Sequence, residues 1–297
     1  MDAQERVLEL NRSGFVPGPE ETEQQFLKRC AYCLNLKGEL GEEIKALLHG
    51  QEGEYSTTPQ YKILQPAHVA LSALADLAPS WPLLFFSNHK LLPWHGGCAW
   101  IFQLADDKPT GAFIQLRTAF RKVARYLNIY QRDELLKHEL VHVCRMMFQE
   151  PKYEEFLAYR TSASRFRRWW GPIISSAKES VLFVFVFALI LVFDLFLLAT
   201  QRADAFQISL WLKSIPIAFL LLACGRLSIR QHRFKKCVQN LTQCLGEESK
   251  AWAVLYRLQD SEIEAFARMH SDQIREYSLL QSEKELRWKV ISTSYFS

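Results

Sequence analysis

Residues 137–148 read KHELVHVCRMMF and carry His138, Glu139 and His142 in the spacing H-E-x-x-H. The surrounding stretch has no Gly or Pro, and its apolar residues fall on one side of a helix, at positions 136, 140, 143, 144 and 147. At about 100° per residue, the two histidines lie on the opposite side, one turn apart. The segment therefore predicts an amphipathic helix over residues 133–149 whose two imidazoles can face one metal ion.

Two imidazoles do not complete a catalytic zinc site, because a third protein ligand is needed. Pro151 ends the first helix, and KYEEFLAY begins a second one. Glu154 and Glu155 follow His142 by 12 and 13 residues, so a helix–turn–helix can fold either carboxylate back onto the ion. Glu139, about 100° around the helix from His138, can reach a water at the metal but is not placed as a ligand.

The HELVH helix followed by a helix with EEFLAY resembles the gluzincin-type zinc metallopeptidases, in which H-E-x-x-H precedes a helix with a glutamate ligand. In membrane-associated families of that group the second motif often resembles E-F-x-A-D. The match covers residues 138–159 and implies Glu155 as the third zinc ligand, with Glu154 as the alternative, and Ala158 as a small packing residue. The spacer is shorter than is usual in those families, and Tyr159 replaces an acidic residue that supports a ligand.

The resemblance also implies a mechanism, in which zinc polarises a water and the scissile carbonyl while Glu139 carries the proton to the leaving amine. Candidates for stabilising the oxyanion or contacting the substrate are Tyr159, Tyr153, Arg145 and His95. In such enzymes a strand upstream of the motif helix binds the substrate backbone as an added strand. The segment AFIQLRTAF, residues 112–120, has the expected position.

The chain is expected to be an α+β protein, mostly helical, with zincin-like motif helices and a small β-hairpin. CAWIFQL (98–104) and AFIQLRTAF are rich in aromatic and β-branched residues and flank a Pro- and Gly-containing turn, which predicts the hairpin. Residues 1–50 read as helical with a break at VPGPE. Cys30 and Cys33 form a C-x-x-C, but no second pair or nearby His completes a zinc site, so they are predicted to be core thiols.

Two apolar runs predict a transmembrane hairpin. Val181–Ala199 contains a single charge, Asp194, and as a helix reaches about 28 Å, roughly one bilayer core. Ile208–Cys224 is shorter and contains Lys213, and it can span if it extends to residue 227. Asp194 and Lys213 each lie six residues from the short link between the runs, so an antiparallel hairpin would pair them as a structural clasp.

Basic residues flank both runs, in RFRRWW (165–170) and from Arg226 to Lys236. The positive-inside rule then predicts an integral membrane protein of the cytoplasmic membrane, with both termini cytoplasmic and Ala203 facing outward. Trp169 and Trp170 suit the membrane interface, and the basic cluster is expected to attract anionic lipid.

The predicted organisation has four parts: an N-terminal helical region (1–50), a zincin-like domain (51–165), the hairpin (166–228) and amphipathic C-terminal helices (229–297) that pack on the soluble domain. The formal net charge of +4 does not indicate nucleic-acid binding. Seven scattered Cys suit a reducing compartment, and the N-terminus shows no cleavable signal peptide.

These patterns favour a membrane-anchored zinc metallopeptidase that faces the cytoplasm and cleaves membrane-proximal proteins or peptides. The alternative from another class is a noncatalytic membrane scaffold with a structural or vestigial metal site. A structural zinc site is closed by four protein ligands, whereas a catalytic one leaves a position for water. A zinc hydrolase acting on a non-peptide bond has the same motif.

Overall fold

The structure is a computed structural model, and it describes residues 2–47, 60–173, 177–202 and 206–296. It is mostly helical with a small sheet. The predicted labelling site Ala203 lies outside the described residues. The helices before the first apolar run are α1 (Ala3–Arg12), α2 (Glu23–Leu47), α3 (Gln60–Ala75), α4 (Arg132–Cys144), α5 (Pro151–Arg160) and α6 (Arg165–Trp170).

The remaining helices lie beyond Ile173 in the chain. They are α7 (Ala177–Ala199), α8 (Phe206–Leu212), α9 (Ser214–Leu245), α10 (Glu248–Leu255), α11 (Asp260–Phe266), α12 (Ser271–Ser282) and α13 (Leu286–Tyr295). The strands are β1 (Leu83–Phe86), β2 (Gly97–Phe102), β3 (Gly111–Leu116), β4 (Arg125–Tyr126) and β5 (Tyr130–Gln131).

The first three strands form one sheet in the order β1-β3-β2. β2 and β3 are antiparallel, with Gly97 opposite Leu116 and Phe102 opposite Gly111, which confirms the predicted hairpin. β1 adds to the other side of β3 in parallel, with Leu83 opposite Phe113. All six residues of β3 are buried, because β1 and β2 cover its two edges and the helices α2 and α4 pack against it.

This topology makes one prediction wrong. The segment of residues 112–120 cannot receive a substrate as an added strand, since β3 already bonds β1 on one side and β2 on the other. The sequence shows two of the three strands as a hairpin but does not show that LLFF (83–86) pairs with β3. The strand that ends the sheet on the motif-helix side is β2.

The helices that follow the two apolar runs pack back on the N-terminal half of the chain. Helix α10 packs against α3, and α13 packs against α1. Buried side chains from Val7 to Tyr295 belong to one hydrophobic cluster, which also holds Cys30 and Cys33. Both thiols are free and nearly inaccessible, as predicted for core residues.

Two helices are long and apolar enough to cross a membrane, at Val181–Ala199 and within Gln207–Leu245. Only 6% of the most apolar window of the first is buried, so this helix is not the core of the soluble domain. The second extends 18 residues beyond the predicted end at residue 227, as α9 continues to Leu245 without a break.

The predicted clasp is present, because Lys213 Nζ lies 2.9 Å from Asp194 Oδ2. The Ser209 hydroxyl also donates to Asp194 Oδ1. At the other end of the hairpin, Arg226 makes a bidentate contact with Glu179 at 2.7 and 2.8 Å. Each end of the hairpin therefore has its own ion pair.

Candidate metal centre

Helix α4 presents the two histidines and the glutamate of the H-E-x-x-H motif on different faces. Leu136, Leu140 and Val143 are completely buried, as the predicted stripe requires. His138 and His142 are partly buried on the opposite side, with their Nε2 atoms 3.3 Å apart. The helix ends at Cys144, earlier than the predicted residue 149.

Helix α5 brings a carboxylate to the same point. Glu155 Oε2 lies 3.5 Å from His138 Nε2, and Glu155 Oε1 lies 3.7 Å from His142 Nε2. In the described part of the chain, these three residues form the group of His, Cys, Asp or Glu that could hold a metal ion, with ligand atoms within 4.8 Å of one another.

The donor set and its spacing fit zinc. Ligands at about 2.1 Å from a tetrahedral ion lie about 3.4 Å from one another, by the geometry of a tetrahedron. The three distances between donor atoms, 3.3, 3.5 and 3.7 Å, scatter around that value. Two imidazoles and one carboxylate are also a ligand type that catalytic zinc sites use.

Glu154 is turned away from this point and supports it from behind. Its Oε1 lies 3.2 Å from His142 Nδ1, and its Oε2 accepts a hydrogen bond of 2.6 Å from Arg145 Nε. A carboxylate on the far nitrogen of a ligating histidine fixes the ring orientation and tautomer. The geometry thus favours Glu155 over Glu154 as the ligand. Glu154 instead supplies a supporting carboxylate, a role that the motif gives to an acidic residue at the position of Tyr159.

The C-terminal helices hold this arrangement in place. Arg145 is buried, and its Nη1 donates to the backbone carbonyls of Tyr256 and Leu258, at 2.8 and 3.1 Å. The Tyr256 hydroxyl donates to the carbonyl of Leu157 on α5, at 2.8 Å. Arg145 therefore links the chain beyond the hairpin, through Glu154, to His142.

The first turn of α5 is capped by a distant residue. Pro151 needs no hydrogen-bond acceptor for its nitrogen, and the next two amides, of Lys152 and Tyr153, donate to the Asp260 carboxylate at 2.8 and 3.1 Å. In return, the Glu150 carboxylate accepts from the Asp260 amide at 2.6 Å. This reciprocal contact fixes the start of the helix that carries Glu155.

Glu139 points from α4 to strand β2, where its Oε2 accepts a hydrogen bond of 2.7 Å from the Ala99 amide. Burial raises the pKa of Glu139, while nearby His142 and the Ala99 amide act in the opposite direction. The Ala99 N–H points away from β3, so the outer edge of β2 faces the motif helix and the donor cluster.

The two imidazoles do not share the same electrostatic environment. Burial, with the charge of His142, lowers the pKa of His138 to about 3. Burial also lowers the pKa of His142, but its hydrogen bond to Glu154 and the charges of Glu154, Glu155 and Glu139 outweigh that effect and raise it to about 9. A metal ion bound to both rings would take the place of any proton on His142 Nε2.

A cleft of about 180 Å³ opens beside His138 and Glu139. Tyr159 lies on its wall with its ring 4.7 Å from that of His138, centroid to centroid. Gly171 also packs against Tyr159, since a Cβ there would lie 2.5 Å from the ring. Tyr159 thus fits its predicted place in the site better than the other candidates do.

The other three candidates lie elsewhere. Tyr153 is buried, its ring stacks on Phe234, and its hydroxyl lies 3.5 Å from Glu264. Arg145 is occupied by Glu154 and the C-terminal carbonyls. The ring of His95 lies edge-on to Trp94, and His95 is not among the residues that line the cleft.

Sequence reasoning missed several cleft residues: Gly96, Gly97, Tyr130, Glu134, Ser162 and Arg167. The Gly pair carried a usable signal, because a Cβ on Gly97 would lie 2.5 Å from the Gln115 carbonyl oxygen. Only Gly lets the strand begin so close to its neighbour. Arg167, in the basic flank of the first apolar run, instead pairs with Glu134 at 3.0 Å.

Comparison of the chain with models of known families, with characterised proteins and with solved structures finds no match.

Proposed function

We propose that the protein is a membrane-anchored, zinc-dependent metallopeptidase of the H-E-x-x-H type. The observation that carries this proposal is the convergence of His138, His142 and Glu155 at spacings that suit one zinc ion, with Glu139 beside them. Three protein donors rather than four converge among the described residues. That number leaves a position for water, which is typical of catalytic rather than structural zinc.

Glu139 is the proposed general base. A zinc ion in the site would supply Lewis acidity to a water and to the scissile carbonyl. Glu139 then accepts the proton of that water and donates it to the leaving amine. Burial raises the pKa of Glu139 above its usual value, which makes the carboxylate a stronger base. The Ala99 amide holds one carboxylate oxygen, so the other faces the cleft.

The proposed substrate is an extended peptide that adds to β2. The strand has β3 on one side only. On its other edge the Ala99 amide donates to Glu139, and Gly97 at the start of the strand lines the cleft. Backbone pairing at such an edge binds peptides of many sequences, and side-chain pockets then select among them. Tyr159 and Tyr130 on the cleft wall are available to contact the peptide.

We further propose that the substrates are membrane-proximal proteins. The hairpin β4–β5 reaches α6, which precedes the first apolar helix, through a hydrogen bond from Arg167 to the Ile129 carbonyl. It reaches the loop before β2 through the Tyr126 hydroxyl, which donates to the Pro93 carbonyl at 2.7 Å. These three segments share exposed large apolar side chains: Leu92, Trp94, Val123, Leu127, Ile129, Phe166, Trp169 and Trp170.

The turn between β4 and β5 supports the proposal that the exposed apolar side chains contact a membrane. Leu127 and Asn128 have φ angles of 53° and 54°. The left-handed conformation is costly for Leu, by about 1–2 kcal/mol, and a turn of this shape favours Asn-Gly. Leu in an exposed turn is consistent with contact with a membrane rather than with water.

The proposed topology has both termini and the metal site in the cytoplasm. The basic flanks of the two apolar helices support it, through the positive-inside rule. A single Cys at position 203 should react with an impermeant reagent from outside an intact membrane, whereas one at 168 or 230 should not. Reaction at 203 only after the membrane is opened would reverse the orientation.

The test of the enzymatic proposal is Glu139→Gln in the full chain. The amide cannot accept the water proton, so we expect hydrolysis of a casein or peptide substrate to fall by about 10²- to 10⁴-fold with the zinc content unchanged. Asp133→Asn, the same change at an exposed position of α4, is the matched control and should keep both. Loss of zinc in Glu139→Gln would make Glu139 a ligand, and zinc-loaded wild type without hydrolysis would favour the noncatalytic scaffold.

A further inference from the structure

A second cavity, of about 900 Å³, lies between α5, α6, α9 and α10. It is separate from the metal site: Phe156 and Arg160 line it from α5, about 100° around that helix from Glu155 and Tyr159. No step of the proposed hydrolysis uses it. Its volume is in the range of cavities that bind small ligands.

The lining of this cavity has an excess of positive charge. Four basic side chains line it, Arg160, Arg165, Arg168 and Lys235, against one acidic side chain, Glu248, which leaves a net charge of +3. Glu248 already accepts a hydrogen bond of 3.0 Å from Trp252 Nε1. Across the described ranges, none of the four cations forms a salt bridge with a carboxylate.

Two of the cations, Arg160 and Arg168, are close enough to affect each other. Arg160 is partly buried, with its guanidinium 4.4 Å from the centroid of the Trp252 ring. Burial and the charge of Arg168 lower the pKa of Arg160. Arg168 donates to the Ser162 carbonyl at 3.2 Å, which leaves its charge uncompensated. An anion between these side chains would relieve the repulsion.

The cavity also has apolar walls. Phe234 contributes to a continuous aromatic surface, with Phe156 at 5.6 Å and Trp252 at 6.1 Å between ring centroids. Trp169 and Val238 line it as well. A free inorganic anion gains nothing from contact with an apolar surface. A molecule with an anionic group and an apolar part can contact both the cations and the aromatic side chains.

The position of the cavity identifies the source of such a molecule. Helix α9 runs without a break from the apolar hairpin into the cavity wall. Gln231 lies four residues, about 6 Å, beyond Leu227, which is within the depth of a lipid headgroup layer. Gln231 donates to the Trp169 carbonyl at 3.1 Å and so holds the end of α6 at this level. Lys235 lies about 6 Å deeper into the soluble domain.

We propose that this cavity binds the headgroup of one anionic phospholipid from the adjacent leaflet. The phosphate lies among Arg160, Arg165, Arg168 and Lys235, and the start of the acyl chains lies along Phe234 and Trp169. A zwitterionic lipid is disfavoured, because its ammonium group would face these four cations. Basic pockets beside membrane helices are known to bind acidic lipid headgroups. The proposal rests on the hairpin crossing a bilayer, which is part of the proposed function, but not on zinc or on hydrolysis.

The test is native mass spectrometry of the full-length protein, titrated in detergent with phosphatidylglycerol or phosphatidylcholine. We expect one phosphatidylglycerol per chain, bound at least about tenfold more tightly than phosphatidylcholine. Arg165→Gln with Lys235→Gln changes two exposed lining residues, so folding is not at risk. It should weaken phosphatidylglycerol binding about 30-fold, or about fivefold for each cation.

Lys236→Gln with Lys289→Gln is the matched control, because it removes the same charge from exposed positions outside the cavity. It should keep the preference for phosphatidylglycerol. Equal weakening in both double variants would mean diffuse attraction to acidic lipid and would overturn the site. Displacement of the lipid by millimolar inorganic phosphate would identify a free anion as the occupant instead. Zinc content should be the same in all variants, so a failure here is distinguishable from a failure of the metal centre.

Discussion

Ionisable side chains face one another in two regions of this molecule, and the two regions arrange them differently. At the turn of the apolar hairpin, Asp194 meets Lys213 at 2.9 Å and also accepts from Ser209. In the metal centre, two imidazole nitrogens face each other at 3.3 Å and a carboxylate approaches both. The hairpin contains one anion and one cation, whereas the cluster contains three side chains, His138, His142 and Glu155, that could hold a metal ion.

The difference shows what an ion-pair contact can indicate about function. In an apolar environment, pairing offsets much of the cost of inserting a charge, and nothing is left over to bind a ligand. In the candidate metal centre, the imidazole nitrogens of His138 and His142 and the carboxylate oxygens of Glu155 converge. The nearby cation, Arg145, pairs with Glu154 and does not neutralise Glu155. The first arrangement balances its own charges, and the second has the geometry of a site that could hold a metal ion.

Glu155→Ala should have the largest effect on zinc affinity. It removes one of three ligands, so we expect zinc affinity to fall by more than about 100-fold, beyond the range seen for supporting residues. Competition with a chromophoric chelator measures the affinity. Folding should persist, as the Glu155 side chain is about a third exposed, at 31%. Zinc binding at wild-type strength would remove Glu155 from the site.

Glu154→Ala should have a smaller effect on zinc and a larger one on stability. His142 loses the partner of its Nδ1, which should weaken zinc binding about 10- to 100-fold. Arg145, with no exposed side-chain surface, loses its carboxylate, and we expect about 3 kcal/mol of destabilisation. Thermal unfolding with and without zinc separates the two effects. A greater loss of zinc affinity than in Glu155→Ala would exchange the two assignments.

Asp194→Asn should not change zinc binding at the candidate metal centre. The change leaves Lys213 without its anion in the hairpin, so membrane insertion should become less efficient. Adding Lys213→Gln should restore much of it, because no charge then remains unpaired. Glycosylation mapping in microsomes measures insertion. If the single variant inserts as well as wild type, or if the double variant inserts no better than the single one, the pair does not stabilise the hairpin.

Local patterns in the sequence predicted most of the elements that position the site. The 3.6-residue period predicted α4, Pro151 predicted the start of α5, and the turn before Gly111 predicted the β2–β3 hairpin. These features depend on residues close together in the chain. The pairing of Asp194 with Lys213 could also be predicted, since a short link between two helices fixes which residues are level.

Contacts between distant segments could not be predicted in this way. The strand Leu83–Phe86 reads as a short apolar run, and only the fold shows that it makes β3 a central strand. Arg145 was a candidate for contacting the substrate, but it is buried and donates to the carbonyls of Tyr256 and Leu258, which the local sequence could not show. Glu154 and Glu155 are adjacent in sequence and about 100° apart on a helix, so only the packing of α5 on α4 distinguishes them.

The most direct test of the account is the zinc content of full-length wild-type protein purified without chelator, measured by mass spectrometry of the metal beside His138→Ala and His142→Ala. We predict about one zinc per chain in the wild type and almost none in either variant, because each variant removes one of three ligands. Wild-type protein that neither carries zinc nor takes it up after addition would contradict the account. HELVH would then be a helix that happens to carry two histidines.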